Sequence, residues 1–325
     1  MKIDLSYGSG GRLTTQLINE VFVRNFDNAI LRKMEDAAVV ELKGKIAYTT
    51  DSFVVEPLFF KGGDIGKLAV CGTVNDLLMM GALPKYLTVG MIIEEGAEIE
   101  MLERIAKSMA LAAKEAKVKI VAGDTKVIEG TGGIYINTSG IGEVQQSGIS
   151  IANCKPGDAL ILSGNLGEHH AAIMSERMEI DNDIASDCAP LVEIVSNLLQ
   201  NKITIHCMRD VTRGGLATVL NEAAEQSQCA IEIEEEKLPV SSSVKGFAEI
   251  LGLDPLYLAN EGKMIIVVPA EQAKMALSIV RSSKYGKDAK IIGKIKKGQG
   301  VTLLTKLKGQ RIIEPLYGES LPRIC

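Results

Sequence analysis

Four aspartates stand out by setting. Asp51 closes a strand-like run in TTDSF, Asp76 lies in VNDLL, Asp124 follows an apolar run in AGDTKV, and Asp210 stands in MRDVTRGG. A carboxylate among apolar neighbours is costly unless it is paired or coordinated. Magnesium takes hard oxygen ligands, commonly one or two carboxylates completed by substrate phosphates. Three or four such acids at element ends are therefore suited to a metal–phosphate site. Any one of them also suits a cap or turn, because Asp beside Ser or Thr bonds its own backbone. Asp76 fits that alternative least, since it falls inside a helix.

Two glycine clusters add to the acids. Gly8, Gly10 and Gly11 form GSGG, and Gly214 and Gly215 open a helical stretch. Backbone N–H groups at such places can cradle phosphate, although a flexible N-terminus uses the same residues. No GxxxxGK[ST] loop is present. Lys126, two residues after Asp124, is placed to neutralise phosphate or to move a proton, or simply to be solvated.

The chain ends in LPRIC, on Cys325. The twelve residues 314–325 reach about 40 Å at most when extended. Pro322 stiffens the tail. Arg323 is suited to docking on an anion and to lowering the thiol pKa. Composition leaves the tail's purpose open. Of the three histidines, His169 and His170 are adjacent near a helix start, and His206 lies in an apolar run. None suggests zinc.

The elements that must position these residues mix α and β. Periodicity predicts helices over 14–22, 64–80, 98–116, 168–177, 191–199, 214–227 and 270–282. Strands are expected over 45–50, 86–93, 119–123, 133–144, 158–164, 230–233, 263–268 and 289–295, with a turn pair between 301 and 313. Residues 203–208 read as a strand or a buried approach. Nothing is assigned between 234 and 262. This is not the strict alternation of a Rossmann sheet, and an α+β design with antiparallel strands fits better. A KPGD turn at 155–158 sets a domain boundary near 150.

Length allows two domains. With 36 basic and 41 acidic residues, the net charge of −5 argues against a polyanion-binding surface, and the absence of Trp argues against base stacking. Nucleic-acid binding is not expected. No signal peptide or membrane span is expected. Six cysteines without a CxxC pair suggest a reducing, cytoplasmic setting with the internal five buried.

Several blocks together carry a resemblance: GSGG at 8–11, TDSFVV at 50–55, GDIGKLAVCGTVNDLLMMGA at 63–82, AGDTKV at 122–127, RDVTRGGLATVLNE at 209–222, NEGKM at 260–264 and the terminal PRIC. Over nearly its whole length the chain resembles the HypE family of hydrogenase maturation proteins. That family lies in the superfamily of aminoimidazole ribonucleotide synthetase and selenophosphate synthetase. The resemblance implies a two-domain α+β fold: an N-terminal ATP-binding and dimerisation domain (1–150) forming a dimeric β-barrel, a C-terminal α/β domain (151–313), and a flexible tail (314–325). It implies ATP-dependent dehydration of an S-carboxamide on Cys325 to an S-cyanate. A HypF-like carbamoyltransferase would load the tail, and a HypC–HypD-like iron complex would receive the cyanide for [NiFe] hydrogenase.

By match to the family blocks, Asp51, Asp76 and Asp124 are expected to bind Mg²⁺ and phosphate, with Asp210 a fourth. The GSGG segment is expected to fold over ATP, Gly214 and Gly215 to contact it, and Lys126 to serve catalysis. Asn260 and Glu261 are expected near the cleft, without a role. Two other readings use the same residues: an ATP-dependent synthetase for a small diffusible substrate, and a non-enzymatic maturation scaffold.

Overall fold

The structure is a computed structural model that describes residues 2–9, 12–35 and 37–316. Gly10, Gly11 and the end of the tail, including Pro322, Arg323 and Cys325, lie outside the described residues. The first part runs through α1 (Arg12–Leu17), a π-helical turn (Ile18–Val23), α2 (Arg24–Phe26), β1 (Ile46–Phe53), β2 (Phe59–Phe60), β3 (Gly63–Asp64), α3 (Ile65–Met79), β4 (Ala82–Glu94), α4 (Ile99–Glu115), β5 (Lys119–Ile128) and β6 (Ile134–Val144). The second part follows with β7 (Ala159–Leu162), α5 (Glu168–Arg177), α6 (Val192–Gln200), β8 (Cys207–Asp210), α7 (Gly215–Ser227), β9 (Ala230–Glu234), α8 (Ser242–Leu251), β10 (Met264–Val268), α9 (Ala273–Ser282), β11 (Lys290–Lys296), β12 (Val301–Leu304) and β13 (Gln310–Ile313).

The α+β expectation holds, but the expected N-terminal β-barrel does not. Four strands of the first part form one sheet in the order β1-β6-β4-β5, with β2 and β3 paired separately, and the ladder ends at β1 on one side and β5 on the other. A closed barrel needs more strands, tilted and staggered until the last pairs with the first. Here the sheet is open, with two edges. In the second part seven strands lie in the order β13-β12-β9-β11-β7-β10-β8. Most neighbours are antiparallel, whereas β4 with β5 and β9 with β12 are parallel.

Helix α3 is the pivot of the molecule. Asp64 caps it, accepting from the N–H groups of Gly66 (2.7 Å) and Lys67 (3.1 Å). Of its residues only Lys67 and Asp76 are not buried. A helix apolar on all sides belongs inside a protein, and this one lies between the first sheet and the second part. Gly72 permits that closeness: a Cβ there would stand 2.8 Å from the Phe53 ring. Asn75 crosses to the second part, donating to Ala189 O (3.1 Å) and accepting from Leu191 N (2.9 Å). One hydrophobic cluster includes residues of both parts.

Three local readings differ from the structure. β1 continues past the expected end to Phe53, so Asp51 sits within a strand. β5 continues to Ile128 because its parallel pairing with β4 runs out to Glu94 and Ile128. The strand expected to end at Gly123 therefore runs on through what reads locally as a Gly123-Asp124-Thr125 turn, and Asp124 and Lys126 are strand residues. Helix α8 occupies a stretch to which nothing was assigned. Its N-cap is Ser241, which accepts from Val244 N at 3.3 Å. The five described cysteines are all buried and free.

Candidate active site

Alternation along β1 decides which acids meet. Ala47, Thr49, Asp51 and Phe53 turn toward α3, while Ile46, Tyr48, Thr50 and Ser52 face the open side of the sheet. Thr49 Oγ1 accordingly donates to Asp76 Oδ2 at 3.0 Å. From the second part, β8 ends on Asp210, which pairs with Met264 at the start of β10. These three meet at a seam, where Asp51, Asp76, Asp210, Arg209, Arg213 and Glu261 line a cavity of about 440 Å³.

The acids there strain against one another. Burial, then the charge of Asp210, lifts Asp76 to about 6, with a further push from Asp51. Burial also raises Asp51, partly offset by the Ser52 N–H and by Arg213. Asp210 is raised by burial against the pull of Arg209. Glu261 is pushed well up by burial, with Cys188, Asp187, Asp210 and Asp51 adding to it. Carboxylates held together and mutually destabilised are relieved by a cation.

Among the described residues no three His, Cys, Asp or Glu side chains enclose an ion by themselves. The set fits half of a magnesium site, of the kind that phosphate oxygens and water complete. Arg209 and Arg213 supply positive charge for phosphate at the same rim.

Asp124 is elsewhere. The rows Asp51–Thr138, Thr138–Val89 and Val89–Gly123 run straight across the sheet. Asp124 belongs to the next row, with Gly90, Asn137 and Ser52. It therefore lies on the opposite edge and opposite face from Asp51. Lys126 Nζ stands 2.9 Å from its carboxylate, and that hydrogen bond, against slight burial, lowers the Asp124 pKa. Both side chains border a second cavity of about 730 Å³, walled by apolar residues such as Phe22, Phe26, Val39 and Met91. Gly8 lies on its rim, so close to β5 that a Cβ would be 2.8 Å from Val127.

The remaining candidates divide. Gly214 and Gly215 take left-handed φ values of 75° and 63° at the start of α7. A Cβ on Gly215 would be 2.5 Å from Leu256 O, and the N–H groups of Gly215 and Ala217 bond to Thr212 O and Leu256 O. Gly215 thus fits the helix onto the 256–258 segment, a Cβ on Gly214 would meet Thr218 of α7 itself, and neither glycine lines either cavity. His169 and His170 are buried in α5, where burial holds both near 4. His169 Nδ1 meets Ser186 Oγ at 2.8 Å, and His206 Nδ1 meets Asp158 at 2.8 Å. Asn260 is fully buried, accepting from Gly167 N (2.7 Å) and donating to Val211 O (2.9 Å). Sequence reasoning missed Arg209 and Arg213. Their flanking of Asp210, one before and three after, was the available signal.

An acid-rich seam between an open four-stranded sheet and a seven-stranded α/β half defines the class. The sequence pattern of the AIR synthase related protein, N-terminal domain, covers residues 34–144, and that of its C-terminal domain covers 155–306. Similarity then narrows within that class. Carbamoyl dehydratase HypE of Cupriavidus necator is 47% identical over 334 residues, spanning 100% of this chain and 95% of that protein. The structure of hydrogenase maturation protein HypE in complex with ATP superposes with a TM-score of 0.95 at 47% identity, covering 99% of each chain. A HypE–HypF complex structure gives 0.81 at 51% identity, covering 94% of this chain and 100% of that one. The chain belongs to the carbamoyl dehydratase HypE family of AIR synthase-related proteins.

Proposed function

We propose that this chain is the ATP-dependent dehydratase of its family acting on its own tail, converting an S-carboxamide on Cys325 into an S-cyanate that supplies the cyanide ligand of [NiFe] hydrogenase. The observation that carries this reading is the strained acid seam of Asp51, Asp76 and Asp210 with Arg209 and Arg213. The amide oxygen is a poor leaving group. Phosphorylation by the γ-phosphate of ATP makes it a good one. Loss of phosphate and both N–H protons then leaves C≡N on sulfur, with ADP and phosphate as the other products. Bound Mg²⁺ would spread the charge that develops on the phosphates.

The chain's own groups divide the remaining work. Asp51, Asp76 and Asp210 would hold the cation, and Arg209 and Arg213 would hold phosphate. Glu261, its pKa pushed up by burial and by the neighbouring acids and its side chain facing the same cavity, is suited to proton exchange with the amide. The tail makes the encounter intramolecular and helps to keep water from the γ-phosphate.

Asp124, Lys126 and Gly8 enter through a second copy. One chain sets Asp51 and Asp124 three strand spacings apart, about 14 Å, on opposite faces. We infer a homodimer in which the β5 edge of one copy lies beside the acid seam of the other. The apolar cavity of about 730 Å³ then takes the adenine. A HypF-like carbamoyltransferase as donor and a HypC–HypD-like iron complex as acceptor complete the scheme.

Mass spectrometry of the intact chain tests it. The donor system should add about 43 Da at the C-terminal peptide, and ATP should then remove about 18 Da. Cys325→Ala should bind ATP and never change mass. A wild-type C-terminal peptide that keeps its mass would sink the reading.

A further inference from the structure

Behind Glu261 lies a buried charge cluster that the chemistry above does not use. The Asp187 side chain is fully buried, and its Oδ2 meets Lys263 Nζ at 3.1 Å. Lys263 also reaches Glu168 Oε2 at 3.4 Å. Burial alone would lower the Lys263 pKa, but Asp187 and Glu168 outweigh it and raise it. Two ions and a third carboxylate in a protein interior cost several kcal/mol per ion in desolvation, of order 5. An apolar cluster would be the cheaper way to hold this wall together, so the charges call for another explanation.

The contacts supply it. Asp187 accepts two successive backbone N–H groups, Glu261 N at 3.0 Å on Oδ1 and Gly262 N at 3.2 Å on Oδ2. A carboxylate gripping adjacent amides fixes both the position and the rotation of that peptide unit. Gly262 is required there, because a Cβ would stand 2.0 Å from Asp187 O. Gly164 similarly leaves room for Lys263, with a Cβ 2.9 Å from its side chain. On the preceding side Asn260 is held by Val211 O and Gly167 N. From the first part, Asn75 Nδ2 approaches Glu261 O at 3.4 Å while holding Ala189 O. Asn75 immediately precedes Asp76, so one helix turn ties the Glu261 backbone to the acid that shares its cavity.

We propose that Asp187, held by Lys263 and Glu168, is a positioning residue for the dehydration. It fixes the Glu261 side chain relative to Asp51, Asp76 and the reacting carboxamide. This rests on the dehydratase reading and on Glu261 as the group that meets the amide. A misplacement of about 1 Å in such a group lowers a rate by about a hundredfold. The expected signature is loss of rate at constant ATP affinity.

The test uses the full-length chain, carbamoylated on Cys325 by the donor system, with single-turnover loss of water followed by mass. ATP affinity is measured separately. Asp187→Asn keeps the shape but turns an N–H toward one of the two amides. It should lower the rate roughly 10- to 100-fold, with ATP affinity within about twofold. In a Glu261→Gln background the same substitution should lower it by less than about twofold more, because residues that act as a unit are not additive.

Equal fold-losses in both backgrounds would overturn the proposal in favour of a structural role. So would a Glu261→Gln chain with unchanged rate. If Asp187→Asn does not fold, Glu168→Gln, at the cluster's edge, carries the same cycle with an expected loss of about two- to fivefold. Wild-type chain that never loses water overturns the dehydratase reading and this proposal together. Wild-type turnover with additive losses overturns this one alone.

Discussion

The two cavities use the same residue type in opposite ways. At the seam, Asp51, Asp76 and Asp210 are crowded, desolvated and raised in pKa. At the β5 edge, Asp124 is exposed, paired with Lys126 and lowered. One set is held in a state that a cation and phosphates would relieve. The other is satisfied as it stands and would have to exchange a partner to bind anything. An aspartate in a motif is raised in pKa only where tertiary packing denies it water and a counter-charge.

The largest predicted effect separates the cavities by chemistry. Asp76→Asn should cut the dehydration rate by roughly two to three orders of magnitude, as expected when a group stabilising developing charge is lost. The chain should remain folded. Single-turnover mass measurements check this, and a near-normal rate would remove the seam from the reaction. Next, Asp124→Asn or Lys126→Met should weaken apparent ATP affinity by about tenfold, the scale of one charged hydrogen bond at a site. Titration with ATP checks it. A loss as deep as that of Asp76→Asn, with ATP binding intact, would erase the distinction.

Stability should move the other way. Asp76 has a folded pKa of about 6 against an unfolded value near 3.8, so the folded chain binds its proton more tightly. Its ionisation therefore costs stability fully above pH 6, less between 6 and 3.8, and not at all below. Asp76→Asn should stabilise by about 1–2 kcal/mol at pH 8, allowing for partial exposure. The gain should vanish towards pH 4. Thermal unfolding at the two pH values checks the sign, and destabilisation at pH 8 would contradict it. The smallest effect belongs to the exposed pair: Asp124→Asn should shift stability by no more than about 0.5 kcal/mol at either pH.

How legible all this was depends on how local each signal is. Asp76 could be read because an acid inside an apolar helix is odd in its own neighbourhood. Helices α3 and α4 could be read from their own residues. The end of β5 could not, because Gly123-Asp124 looks like a turn until β4 is placed alongside. The open sheet could not either: strand count and edges belong to the assembled ladder, and the barrel expectation came from resemblance rather than from pattern. Asp187 has no local signal in its own stretch of sequence. Its grip on Glu261 and Gly262 spans more than seventy positions, and no window of sequence contains both ends. The close fit of Gly215 against 256–258 was hidden for the same reason.

In the proposed dimer, the seam of one copy and the β5 edge of another make one site. Mixing Asp76→Asn chains with Asp124→Asn chains tests it most directly. At ATP concentrations too low to saturate the Asp124→Asn chain, each variant alone should be deficient. If the site is shared, mixed dimers carry one doubly damaged site and one intact site. An equal mixture should then regain about a quarter of wild-type cyanate formation after random exchange of a two-fold dimer. If each chain builds its site alone, the mixture will show only the average of the two deficient variants, and the shared site would be contradicted.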